Sequence, residues 1–119
     1  MGTSIEKIVI IKQEVLDYLD ELTMVLFVEN YFRFVESAED YVEEIFDFIM
    51  TIPTQISYDI TNEKSRYYNK NLRYCRYRAN RHTTWFIFFE KRANRYIVKH
   101  IENNHSLANY GYKRIKNLQ

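Results

Sequence analysis

The sequence predicts an α+β fold: two N-terminal helices packed on a small, mostly antiparallel sheet, in the order β-α-α-β-β-β. Three observations predict it. Two segments of the first half repeat apolar residues at helical spacing, and three runs of the second half are β-branched and aromatic. A four-residue connection, KRAN at 91–94, is short enough to make the last two runs an antiparallel hairpin. At 119 residues, one domain spanning 1–119 can bury a core without disulfides or metal.

The elements follow in chain order. Lys7–Ile11, KIVII, is a β-branched run and reads as the first strand. Val15, Leu16, Leu19, Leu22 and Leu26 then share one face of a helix over Gln13–Phe27, with Asp17, Asp20 and Glu21 on the other. A break falls at ENYFRF. Ser37 is a good N-cap with Asp40 three residues on, so the second helix is expected over Ala38–Met50. It should bury Ala38, Tyr41, Val42, Ile45, Phe46 and Ile49, and its acids should form a solvated face. Pro53 ends it, because a residue before proline is pushed out of the helical region. Residues 51–71 show no periodicity and read as a long loop, a length that usually marks a functional segment. Leu72–Arg78, Thr83–Glu90 and Arg95–Ile101 are the remaining strands, and 106–119 is a tail.

Period-two projection puts Trp85, Ile87 and Phe89 on one face of the central strand and Thr84, Phe86 and Phe88 on the other. Helices packed on one side cover only one of these sets. The other must be covered by the long loop, the tail or another protein.

Composition narrows the function. Aromatic residues make up 17% of the chain and hydrophobic residues 46%, which excludes a disordered segment. The single cysteine, Cys75, can form no intrachain disulfide, suits a reducing compartment and reads as a small strand residue. No apolar run is long enough for a membrane span and no secretory signal is evident, so a cytoplasmic protein is expected. Only Gly2 and Gly111 are glycines, and neither lies between a strand and a helix. Phosphate-cradling loops are therefore missing, and neither a nucleotide nor any other cofactor is expected. One cysteine and three scattered histidines give no metal-ligand spacing.

Charge is sharply segregated. Residues 1–63 carry three basic and fourteen acidic residues, a net of −11; residues 64–119 carry fourteen basic and two acidic, a net of +12. A cationic half of this kind suits an anionic partner, either nucleic acid or an acidic protein surface. The acidic helices can also simply neutralise the basic sheet within one fold.

The stretch YRANRHTTWFIFF, comprising Tyr77, Arg78, Asn80, Thr83, Thr84, Trp85, Phe86, Ile87, Phe88 and Phe89 among its residues, precedes a last strand ending in Asn103-Asn104-His105. Together with KIVIIKQEVLDYLDEL and YFRFVESAEDYVEEIFDFI at the front, this pattern resembles the ParE-like branch of the RelE/ParE toxin superfamily over nearly the whole chain. The resemblance implies the toxin of a type II toxin–antitoxin pair, neutralised by a cognate antitoxin that lies over its sheet and helices; Trp85, Phe86 and Phe88 are the antitoxin-facing residues expected here. ParE-like members poison DNA gyrase and RelE-like members cut mRNA on the ribosome. The resemblance places gyrase ahead of the ribosome, since Thr84 and Trp85 stand where RelE-like toxins open the central strand with arginine.

A metal-independent endoribonuclease is the alternative. Such chemistry needs charge stabilisation from arginine or lysine and proton transfer by histidine or tyrosine. Arg78, Arg81, His105 and Tyr110 lie roughly where RelE-like members keep their working residues. His105 suits proton transfer because its unperturbed pKa lies near neutrality, and it equally suits the shaping of a strand-end turn. Arg73, Arg76, Lys99 and Tyr112 are the residues expected to contact nucleic acid or the target, with Arg76 and Arg78 sharing a strand face with Leu72 and Tyr74. Tyr110 and Tyr112 can stack on bases, anchor a protein or fold back on the sheet. A third reading is an inactive relative that serves as a protein-binding module.

Overall fold

The computed structural model describes residues 6–28 and 35–105. Its elements are β1 (Ile8–Ile11), α1 (Gln13–Val28), α2 (Val35–Met50), β2 (Tyr58–Asp59), β3 (Arg73–Arg78), β4 (Thr84–Arg92) and β5 (Arg95–Asn103), with a short 3₁₀ turn at Ile52–Thr54. This is an α+β fold in which two helices pack on a five-stranded mixed sheet. The strand order is β1-β5-β4-β3-β2, with β1 parallel to β5 and every other neighbour antiparallel.

Helical spacing and strand alternation meet in one core. Val15, Leu19 and Leu22 of α1 and Val42, Ile45 and Ile49 of α2 bury against Cys75 of β3, Trp85, Ile87 and Phe89 of β4, and Tyr96, Val98 and Ile101 of β5. Trp85 anchors the layer: its indole Nε1 donates to the Tyr41 hydroxyl at 2.9 Å, and Tyr18 meets its ring edge-on at 6.3 Å. A buried indole N–H finds a partner in this way because an unpaired one is expensive. Burial also raises the Tyr18 phenol to about 12 and the Cys75 thiol to about 11.

The bounds differ from the expectation in ways that have physical reasons. α2 begins at Val35, so Ser37 lies in its first turn rather than at its cap. A first turn has unsatisfied N–H groups, and serine and acidic residues suit it as well as they suit the cap itself. Phe46 is 36% exposed, not buried. The stripe facing the sheet is Ala38, Val42, Ile45 and Ile49, and Phe46 falls on its flank. The hairpin turn is two residues, Ala93–Asn94, because β4 runs on to Arg92 and Ala93 takes the left-handed conformation at φ 54°. β5 extends past Ile101 to Asn103. Its pairing with β4 slips between Phe88 and Phe89, leaving Lys99 as an extra residue. That bulge lets both Val98 and Ile101 face the helices, three residues apart.

The expected loop over 51–71 is structured. It contains the 3₁₀ turn and then β2, which pairs with β3 as the fifth strand. Residues 60–71 then cross the sheet face opposite the helices. Asn69 and Asn71 adopt φ of 63° and 58°, which asparagine tolerates better than most residues.

Candidate functional site

The face of the sheet opposite the helices carries cross-strand rows that change in character along the strands. In the first row Tyr58 pairs with Tyr74, Tyr74 with Phe88, and Phe88 with His100. The next is Arg76, Phe86 and Glu102, and the last described pair is Arg78 with Thr84. Aromatic side chains thus give way to arginines toward the end of the sheet formed by the β3–β4 turn and the end of β5.

The strap at 60–71 covers the aromatic end. Tyr67 is buried, stacked on Phe88 at 4.3 Å and on His100 at 4.8 Å between ring centroids. Its hydroxyl donates to the carboxylate of Glu102, and Arg66 Nε lies 3.8 Å from the same oxygen. Glu102 is itself only 7% exposed. Burial, then the bond to Glu102, holds the Tyr67 phenol far above its usual 10.0. Tyr67, Leu72 and Phe88 form a second, smaller core, with Ile60, Tyr74 and Phe86 half-buried at its edge. The second apolar set of β4 is therefore covered in part by the chain itself.

At the other end, Asn103-Asn104-His105 fastens β5 to the β3–β4 turn. The Asn104 side chain accepts from the Thr84 N–H at 3.0 Å and donates to the His82 carbonyl at 3.1 Å. The Asn103 side chain accepts from the His105 N–H at 3.0 Å. The His105 imidazole then stands 3.5 Å from the Thr83 hydroxyl. Arg78 holds the same turn from the other side, donating to the carbonyls of Asn80 and Arg81 at 3.2 Å each. Arg78, Arg81 and His105 are thereby brought to one corner, Arg78 through its bonds to the turn carbonyls, Arg81 as part of that turn and His105 through Thr83.

The basic residues expected at the site, Arg73, Arg76, Arg78, Arg81 and Lys99, differ in their partners. Arg73 is paired with Asp59 and also donates to Ser57 Oγ at 2.8 Å and to the Ser57 carbonyl at 3.1 Å. Lys99 and Arg92 both hold Glu90, at 2.7 and 2.6 Å, and their hydrogen bonds, Lys99's first, pull its carboxyl below the usual range. Among the described residues no carboxylate pairs with Arg76, Arg78 or Arg81. Arg76 donates instead to the Tyr58 hydroxyl at 3.0 Å, its guanidinium 4.6 Å from that ring's centre. Neutral partners leave the charge of Arg76 and Arg78 undiminished.

The expected partner-facing residues fare unequally. Trp85, 2% exposed, lies beneath the helices, and Phe88 lies beneath Tyr67; of the three, Phe86 alone is half-buried on the sheet face. Alternation separates Trp85 from Phe86 and Phe88, but only the three-dimensional cover decides which is reachable. Tyr110 and Tyr112 lie outside the described residues. Tyr58, Tyr67 and Glu102 belong to this face and carry no periodic signal, since each depends on a contact between distant segments.

A separate groove lies between the helices, about 590 Å³ in volume and lined by Leu16, Leu19, Thr23, Met24, Val42 and Phe46, with Asp20, Glu39 and Glu43 at its rim. None of the described helices is long and apolar enough to cross a membrane. The sequence matches no family model, and no curated protein and no solved structure matches the chain.

Proposed function

We propose that the chain is the toxin of a type II toxin–antitoxin pair of the RelE/ParE kind, arresting growth by binding an essential target, DNA gyrase ahead of the ribosome. The observation that carries this reading is the corner where Arg78, Arg81 and His105 meet. The Asn-Asn-His triplet behind the resemblance has a physical task there, fastening β5 to the turn after β3. A fixed cationic corner on a rigid sheet is a binding surface for an anionic target. The antitoxin would lie across Phe86 and in the acid-rimmed groove between α1 and α2, which suits an amphipathic helix with basic flanks.

The second reading is a ribosome-dependent mRNA endonuclease, favoured by His105 meeting Thr83 at the same turn that carries Arg81 and is held by Arg78. Inducing the chain without an antitoxin in a bacterial host separates the readings. Growth should stop, with double-strand breaks and a DNA-damage response under the gyrase reading, or with transcripts cut inside codons under the endonuclease reading. Arg78→Ala combined with Arg81→Ala should restore growth under both. Normal growth on induction of the unaltered chain, with its accumulation verified by immunoblot, overturns the toxin assignment.

A further inference from the structure

We infer that the sheet face between the strap and the corner is a stacking platform for single-stranded nucleic acid, with Tyr58 and Phe86 taking bases and Arg76 and Arg78 taking phosphates. This surface extends the corner described above, but its test does not depend on growth arrest. The rings of Tyr58 and Tyr74 stand 5.4 Å apart and those of Tyr74 and Phe86 5.9 Å apart, so three half-buried rings run across β2, β3 and β4. Arg76 is exposed on the same face with its guanidinium over Tyr58, and Arg78 follows two residues on. Aromatic faces and arginine planes accept any base, and arginines accept the phosphates between them.

Two observations favour a nucleic acid over an acidic protein. Among the described residues no carboxylate pairs with Arg76 or Arg78, whereas Arg73, Arg92 and Lys99 elsewhere on the sheet are held by Asp59 and Glu90. Moreover, the rings are left half-covered beside those charges, where an acidic peptide would need only the cations. The one carboxylate in the rows, Glu102, is buried and held by Tyr67 and Arg66, away from a strand lying on the surface. A duplex, with its bases stacked inward, could not use the rings.

Fluorescence anisotropy of the purified chain with labelled oligo-uridine, oligo-deoxythymidine and a duplex of equal length tests this. Both single strands should bind more tightly than the duplex, and the tighter of the two distinguishes RNA from DNA as the source. Tyr58→Ala should weaken binding by roughly tenfold, within the range of one lost base stack, while Tyr58→Phe should preserve it. Arg76→Ala should weaken binding and lower the slope of log K against log salt by about 0.7, one phosphate on a single strand. Arg92→Ala, whose charge Glu90 already holds, should change little. Equal binding to duplex and single strand, wild-type affinity in both Tyr58→Ala and Arg76→Ala, or equal losses in Arg76→Ala and Arg92→Ala would each overturn the platform.

Discussion

The two faces of β4 use one run of aromatic residues to opposite ends. On one side Trp85, Ile87 and Phe89 disappear under two helices into a continuous core. On the other, Phe88 is covered by Tyr67 of the strap within a small cluster that includes Leu72, and Phe86 is left half-open beside Arg76. The first face carries the main core; the second carries only a small cluster under the strap and leaves Phe86 half-buried. The two ends of the sheet also differ, with Arg92 and Lys99 held by Glu90 toward the Ala93–Asn94 turn and Arg78 held only by turn carbonyls at the corner.

The largest test of that contrast compares neighbours on β4. Trp85→Ala removes a buried indole and its bond to Tyr41, and should lower unfolding free energy by about 3–5 kcal/mol. Phe86→Ala truncates a half-buried ring and should lower it by only about 1 kcal/mol, because less apolar area leaves contact. Urea denaturation followed by circular dichroism reads both. Comparable losses would mean that the strap side bears as much of the fold as the helix side.

How far the sequence foretold this division varies with the range of the interactions. The helices, the three long strands and the two-sided apolar character of β4 follow from periodicity, which is local. β2 is two residues long and contributes no alternation, so it exists only because β3 offers an edge beside Tyr58 and Asp59. The bulge at Lys99 could have been suspected from Tyr96, Val98 and Ile101, whose apolar spacing stretches from two to three. Tyr67 on Glu102 spans 35 residues and leaves no local trace. At the corner, Arg78, Arg81 and the Asn-Asn-His triplet were visible as residue types. Their meeting was not, because Asn104 acts through backbone groups of Thr84 and His82.

The strap offers a test of middling size, and pH gives it a direction. Tyr67→Phe keeps the ring on Phe88 and removes the donor to a buried carboxylate, which should reduce stability by about 1–3 kcal/mol at neutral pH. The folded chain raises Tyr67, Tyr18 and Cys75 above their usual values of 10.0, 10.0 and 9.0. Unfolding therefore releases protons in alkaline solution, so the stability these groups confer is fully present below pH 9 and declines as pH rises beyond it. Tyr67→Phe should decline less steeply than the unaltered chain above pH 10, with Tyr18 and Cys75 still contributing. Parallel curves of urea midpoint against pH would show that Tyr67 is not held as strongly as the helix-covered groups.

The smallest effect sharpens the contrast between the two ends. Ala93 turns the β4–β5 hairpin at φ 54°, where its Cβ crowds the following carbonyl at a cost of roughly 1–2 kcal/mol. Glycine has no Cβ and meets that conformation freely, although its unfolded chain loses more entropy on folding. The balance predicts that Ala93→Gly stabilises the chain by about 0.5–1 kcal/mol, readable as a small rise in urea midpoint. This turn lies at the opposite end of β4 and β5 from Thr84 and Asn103, with the length of the two strands between. Growth arrest and oligonucleotide binding should therefore stay unchanged in the stabilised variant. A change in either would mean that the two ends of the sheet are mechanically linked, and that the corner's geometry is set by the whole hairpin rather than by Asn104 and Arg78 alone.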